Sequence, residues 1–86
     1  MTSIIPDFAD AHYSLGLTYD KLGRYQEAIQ AYKQAIRLKP DFAQAHFGLG
    51  VAYLLMKDQG SALQEYKILK ELDPEMANQL FNLIYK

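Results

Sequence analysis

The chain is a succession of mostly apolar stripes with helical spacing, separated by short breaks that contain glycine or proline. Residues at i, i+3, i+4 and i+7 lie on one side of an α-helix, so each stripe predicts an amphipathic helix. The stripes are His12, Leu15, Gly16, Tyr19; then Ala28, Ile29, Tyr32, Ala35, Ile36; then His46, Leu49, Gly50, Tyr53; then Ala62, Leu63, Tyr66, Leu69. With a last apolar segment after Pro74, they predict five antiparallel helices: from Pro6 to a break at 22–24, then 25–38, 41–55, 61–72 and 75–85.

The stripes belong to a sequence repeat with a period of 34 residues. Residues 6–39 align without gaps on residues 40–73, and 14 of the 34 positions are identical. Pro6, Pro40 and Pro74 mark the period. A fixed period of this length is typical of helical repeat arrays, in which each unit buries its apolar stripe against its neighbour. The segment 4–6 is open to two interpretations, a disordered start or the tail of an earlier repeat.

Glycines are expected to shape both the turns and the packing. Gly23 is predicted to take the left-handed conformation that ends a helix. Gly60 stands three positions later in its repeat than Gly23 does in the first, so the second turn is expected to differ in shape. Gly16 and Gly50 lie inside predicted helices, where glycine costs about 1 kcal/mol relative to alanine. We expect close helix contacts there, with small residues opposite, namely Ala28, Ala35 and Ala62.

The pattern resembles the tetratricopeptide repeat, in which a bulky residue, Leu-Gly, Tyr, Ala, an aromatic residue, Ala and Pro stand at fixed offsets. The matching residues are Leu15, Gly16, Tyr19, Gly23, Tyr25, Ala28, Tyr32, Ala35 and Pro40, then Leu49, Gly50, Tyr53, Ala62, Tyr66 and Pro74. The second repeat departs at Lys57, where the family has a turn glycine, and at Leu69, where it has a second alanine. His12 and His46 replace a frequent Trp.

The resemblance covers residues 6–86 and implies an all-α fold. Antiparallel helix pairs would stack into a right-handed α-superhelix of two and a half repeats. The chain would be a single domain, 1–86, with repeats at about 6–39 and 40–73 and a terminal half-repeat at about 74–86. The family usually binds proteins or peptides on a concave surface that the first helix of each pair lines.

Mapped onto this sequence, the resemblance implies a partner-binding groove rich in aromatic and aliphatic side chains. Its residues are Tyr13, Leu17, Asp20, Phe47, Val51, Leu54, Leu55, Asn78, Phe81, Asn82 and Tyr85. The groove carries almost no cation, so the family's clamp of basic residues on a peptide carboxylate is expected to be absent. Either these residues form an exposed binding surface, or several of them belong to the core; spacing does not separate the two.

Two functions from different classes follow. The first is a non-enzymatic interaction module that binds an apolar peptide or protein segment in the groove. The second is a self-assembling structural unit, a homodimer or higher oligomer joined through its terminal helices. Apolar residues crowd the last helix on nearly all sides, whereas an end repeat needs a polar outer face; they are Leu80, Phe81, Leu83, Ile84 and Tyr85.

Composition and charge argue against other classes. The net charge is −1, whereas nucleic-acid binding needs a clustered basic face. The chain has no cysteine, no segment resembling a signal peptide and no apolar run of the roughly 18 residues that a membrane span needs; the cytoplasm is the expected compartment.

His12 and His46 are expected in the core without a carboxylate at i±3 or i±4. Ser14 faces away from His12. We predict no catalytic residue, no metal and no cofactor.

Overall fold

The structure, a computed structural model, describes residues 8–86 as five α-helices. The helices are α1 (Phe8–Lys21), α2 (Tyr25–Leu38), α3 (Ala43–Leu55), α4 (Gln59–Leu72) and α5 (Pro74–Ile84). Each packs against the next in the chain, and α3 also contacts α1 and α5. The all-α prediction of sequential antiparallel helices is therefore confirmed. The predicted start of the first helix at Pro6 lies outside the described residues.

Helix ends follow the capping residues more closely than the apolar stripes. Asp58 accepts a hydrogen bond from the backbone N–H of Ser61 over 3.1 Å, and α4 begins at Gln59 rather than at residue 61. Ser61 is thus in the first turn of α4, and Asp58 is the N-cap. Asp73 caps α5 in the same way, with Pro74 at the first helical position, where proline is favoured.

The third helix begins two residues later than predicted. Pro40 and Asp41 form a turn instead, in which the N–H of Phe42 donates to the carbonyl of Lys39 over 3.0 Å. Phe42 then serves as the N-cap residue of α3, and its ring is buried. The period places proline at the repeat boundary correctly. Pro40 and Asp41 form the turn between α2 and α3 rather than the first turn of α3.

The two turns inside the helix pairs are alike, contrary to our expectation. Gly23 has φ +77°, and Lys57, 34 residues later, has φ +64°. The N–H of Arg24 donates to Tyr19 C=O over 2.9 Å, and the N–H of Asp58 donates to Tyr53 C=O over 2.8 Å. Both turns therefore close with a left-handed residue. Gly60 does not form the turn, because it lies in the first turn of α4.

Close contacts at the glycines are confirmed for Gly16 and Gly50, but the groups opposite are large. A Cβ on Gly16 would stand 2.5 Å from the Tyr32 ring. One on Gly48 would stand 2.8 Å from the same ring, and one on Gly50 would stand 2.7 Å from Leu80. The alanines expected opposite are fully buried but are not the nearest groups. The ring of Tyr32 lies between α1 and α3, and glycine provides its space.

Two residues of the first stripe, on α1, are less buried than their counterparts on α3. Leu49 is 3% exposed and packs with Ala28 and Tyr32 of α2. Leu15, its counterpart, is 44% exposed, so the prediction that it is buried is wrong. His46 is buried, and His12 is only half-buried. The reason is positional: α2 covers this side of α3, whereas the corresponding side of α1 borders an open pocket of about 250 Å³.

Candidate functional site

The predicted groove residues lie on α1, α3 and α5, or in the case of Tyr85 at the C-cap of α5. Helix α3 contacts both α1 and α5. On each of these helices they share one side, because their spacing is helical. We call this shared side the groove face. Residues 34 positions apart form rows across it: Tyr13, Phe47, Phe81; then Leu17, Val51, Tyr85; then Asp20 and Leu54. Because equivalent residues of stacked repeats take equivalent places, we expect side chains from distant parts of the sequence to share one surface here.

The exposed member of the aromatic row is on α5, and the other two members are half-buried. Tyr13 is half-buried, with its ring 5.1 Å from that of Phe42 and 5.9 Å from that of Tyr32. Phe47 is also half-buried and packs on the second core cluster. Phe81 is 42% exposed and contacts the ring of Tyr66 at 5.4 Å. Phe81 therefore offers the largest open aromatic surface of the row.

The second and third rows combine exposed and packed side chains. Leu17 and Tyr85 are exposed, and the rings of Phe81 and Tyr85 are 4.9 Å apart. Val51 and Leu54 are half-buried against the second core cluster, so both interpretations of the groove residues apply, each to part of the set. The remaining groove residues, Leu55, Asn78 and Asn82, are exposed.

Asp20 is the charged residue of the groove face, and it is tied to the core. Its Oδ2 accepts a hydrogen bond from the Tyr32 hydroxyl over 2.6 Å. Its Oδ1 is buried and has no partner within residues 8–86. Burial raises the pKa of Asp20, and the hydrogen bond from Tyr32 opposes part of that rise. The carboxyl group thus anchors Tyr32, and its negative charge lies in poorly solvated surroundings.

The sequence interpretation missed a buried ionisable pair behind this face. The Nδ1 of His46 lies 2.6 Å from Oε1 of Glu65, and its Nε2 lies 2.8 Å from the carbonyl oxygen of Pro40. The carboxylate comes from α4, so a search along the same helix could not find it. One signal was available: Glu65 occupies the repeat position of Ala31, which is buried.

Burial by itself lowers the pKa of His46, but its surroundings reverse the effect. The hydrogen bonds to Glu65 and Pro40, together with the negative charge of Glu65, favour the protonated ring. The net result is a raised pKa. His46 is in the core as predicted, but it is an ionisable group paired with Glu65 rather than a residue that only fills space.

No cluster of three or more potential metal ligands is found among the described residues. Nor does any helix within residues 8–86 have the length and apolar character that crossing a membrane requires. The expectations of no metal, no cofactor and no nucleic-acid partner stay predictions, as does the cytoplasm as compartment.

Three family models match the chain. One is described as TPR repeat and matches residues 19–57; the other two, each described as Tetratricopeptide repeat, match residues 3–30 and 44–75. Together the matches extend over residues 3–75, so they cover both repeats identified from the 34-residue period. No curated protein matches the sequence closely enough to count as a relative. The matching models describe repeats that are typically non-catalytic, and none describes an enzyme domain.

Proposed function

Because the chain belongs to the tetratricopeptide repeat family, whose repeats are generally protein–protein interaction modules, we propose that it binds an apolar segment of another protein along the groove face. The observation that carries this proposal is the exposed pair of rings at Phe81 and Tyr85, together with exposed Leu55 and half-buried Leu54 among the groove residues of α3. Clustered exposed aromatic and aliphatic side chains are typical of interaction surfaces.

The chemistry of the face favours an uncharged, apolar ligand segment. Asn78 and Asn82 lie beside the aromatic residues and can donate and accept hydrogen bonds to a backbone. The predicted groove residues carry no positive charge, so recognition of a terminal carboxylate by basic side chains has no support here. Binding would depend on burial of apolar area, at about 25 cal/mol per Å².

A peptide-display selection against the full-length chain tests the proposal. Selected peptides should lose binding to Phe81→Glu, because the new charge would be desolvated under an apolar ligand. Ile68→Glu is the matched control, since Ile68 is 40% exposed on α4 and lies off the groove face. Both variants should keep the helicity of the parent. Equal loss of binding in the two variants, or none in Phe81→Glu, would contradict the proposal.

Self-association is the second candidate, and the exposed side chain of Leu83 favours it. Leu83 is on α5 but off the groove face, close in sequence to buried Leu80 and Ile84. Deleting α5 would expose the core residues that these two cover, so a point substitution is the sharper test. Light scattering should show the parent as an oligomer and Leu83→Glu as a monomer. A parent chain that stays monomeric at every protein concentration measured would contradict self-association.

A further inference from the structure

The pair of His46 and Glu65 is more than a buried hydrogen bond, because it connects three parts of the chain. His46 is in the first turn of α3, Glu65 is in the middle of α4, and Pro40 belongs to the turn that joins the first helix pair to the second. His46 is 4% exposed and Glu65 is 9% exposed. The imidazole therefore bridges α4 and the inter-repeat turn within a site that solvent hardly reaches.

When Glu65 is ionised, both ring nitrogens of His46 face acceptors that have no proton to give. Glu65 presents a carboxylate oxygen at 2.6 Å and Pro40 presents a carbonyl oxygen at 2.8 Å. A neutral imidazole carries one N–H and one lone pair, so it can satisfy one of these contacts and must oppose the other. A protonated imidazole donates to both. The geometry therefore selects the charged ring.

We propose that protonated His46 is a pH-sensitive latch that holds α4 to the turn before α3 and loosens when it loses its proton. The two repeats meet at that turn, so the latch sets how firmly the second helix pair is held against the first. Loss of the proton removes one of the two hydrogen bonds and leaves the Glu65 charge without its partner. An uncompensated buried charge is strongly destabilising.

Among residues 8–86, Glu65 is the one ionic partner of the ring. Glu65 of α4 is the charged residue whose field acts on His46. The side chains of Arg37, Lys39 and Asp41, at the end of α2 and in the turn, are exposed, and the amine of Lys39 lies 4.9 Å from the centre of the Phe42 ring. Within α3 itself, residues 43–55 contain no other charged side chain.

The raised pKa of His46 fixes the direction of the response. The closed, folded site binds the proton more tightly than an opened site, where the pKa is near 6.5. The latch therefore contributes fully below that pH and weakens as the pH rises through the folded-state pKa. Between the two pKa values, the equilibrium constant for opening should increase about tenfold per pH unit.

The first experiment is an NMR titration of the full chain, following the ring nitrogens of both histidines from pH 5.5 to 8.5. A His12→Gln variant assigns the two signals, since the chain has two histidines. The latch requires that both nitrogens of His46 still carry protons at pH 6.5, the ordinary pKa of the imidazole. A His46 ring that is a single neutral tautomer at pH 6.5 overturns the proposal, and this measurement needs no variant of the pair to fold.

The second experiment measures opening by amide hydrogen exchange over the same pH range, corrected for the intrinsic rate. The amide of His46 donates to the Phe42 carbonyl over 3.1 Å and reports on the start of α3, and the amide of Ala77 donates to Asp73 over 2.9 Å and serves as the control in α5. The equilibrium constant for opening measured at His46 should rise with pH more steeply than the one measured at Ala77. The difference in slope should be about a factor of ten per pH unit.

A Glu65→Gln variant separates a latch from ordinary packing, since glutamine keeps the shape and an acceptor but has no charge. This variant should shift the titration of His46 to lower pH and move the pH dependence of opening with it. Parallel pH profiles for the parent and Glu65→Gln, or equal slopes at His46 and Ala77, would show that the contact is merely structural and would overturn the proposal.

Discussion

The hydroxyl of Tyr32 donates a hydrogen bond to Oδ2 of Asp20 over 2.6 Å. This bond joins the middle of α2 to the last turn of α1, and the ring between them is fully buried. Gly16 of α1 and Gly48 of α3 approach the ring from the two neighbouring helices. One side chain therefore locks three helices at the centre of the fold, by packing along its length and by a hydrogen bond at its tip.

Replacing Tyr32 with Phe should destabilise the chain by about 1–3 kcal/mol, because it leaves a poorly solvated carboxylate without its donor. The same change should raise the pKa of Asp20 further, since the hydrogen bond is what opposes the effect of burial. Urea unfolding and an NMR titration of Asp20 measure the two effects. Tyr66→Phe is the matched control one repeat later, where the counterpart of Asp20 is Leu54. Equal costs for the two variants would contradict a special role for the hydroxyl.

Gly16→Ala should destabilise the chain although alanine is the better helix former. A Cβ at this position would stand 2.5 Å from the Tyr32 ring, and the ring cannot retreat because Gly48 bounds it on the other side. Overpacking of this kind typically costs 1–3 kcal/mol, which exceeds the gain of about 1 kcal/mol in helix propensity.

The control is Gly60→Ala in the first turn of α4. The nearest group to a Cβ there is a carboxylate oxygen of Asp58 at 3.9 Å, so the propensity gain should appear without a clash. The midpoint temperature of thermal unfolding should therefore decrease for Gly16→Ala and increase for Gly60→Ala. Substitutions that shift stability in the same direction would contradict the packing argument.

The sequence predicts the helices because the period and the apolar stripes carry that information locally. Tyr32 and Gly16 both stand out in the repeat, but their mutual contact depends on how the helices nest, which spacing along one helix does not specify. His46 and Glu65 show the same limit. The carboxylate partner comes from another helix, 19 residues away, and no local pattern connects the two.

The same limit applies to the groove face: the sequence predicts the position of its residues but not their exposure. The repeat predicts which side of each helix Tyr13, Phe47 and Phe81 occupy, because residues 34 positions apart are equivalent. Their exposure depends on their neighbours: Tyr13 is covered in part by Phe42, whereas Phe81 lies on the last described helix and is open on one side. Exposure, and with it the capacity to bind a partner, is a property of the stack and not of the repeat.

The acid limb of the stability curve should depend on Asp58. Its hydrogen bond from Ser61 lowers its pKa below the ordinary value of 3.8. The unfolded chain therefore takes up the proton first as the pH falls, so this contribution is present above pH 3.8 and is lost as the pH falls through the folded-state pKa. Asp58→Asn retains a good N-cap but does not titrate. Urea unfolding from pH 5 to 2 should show a shallower loss of stability for Asp58→Asn, and identical acid limbs would contradict the role of the cap.

Lys57→Gly should stabilise the chain by about 1 kcal/mol. Lys57 has φ +64°, in the left-handed region that costs an L-residue roughly 1–2 kcal/mol and glycine almost nothing. Two variants separate backbone strain from loss of the side chain. Lys57→Ala removes the amine but keeps the strain, so it should leave stability nearly unchanged. Gly23→Ala introduces the same strain at φ +77° in the first repeat and should cost about 1 kcal/mol. Urea unfolding measures all three, and a Lys57→Gly variant no more stable than Lys57→Ala would show that the second turn bears no strain.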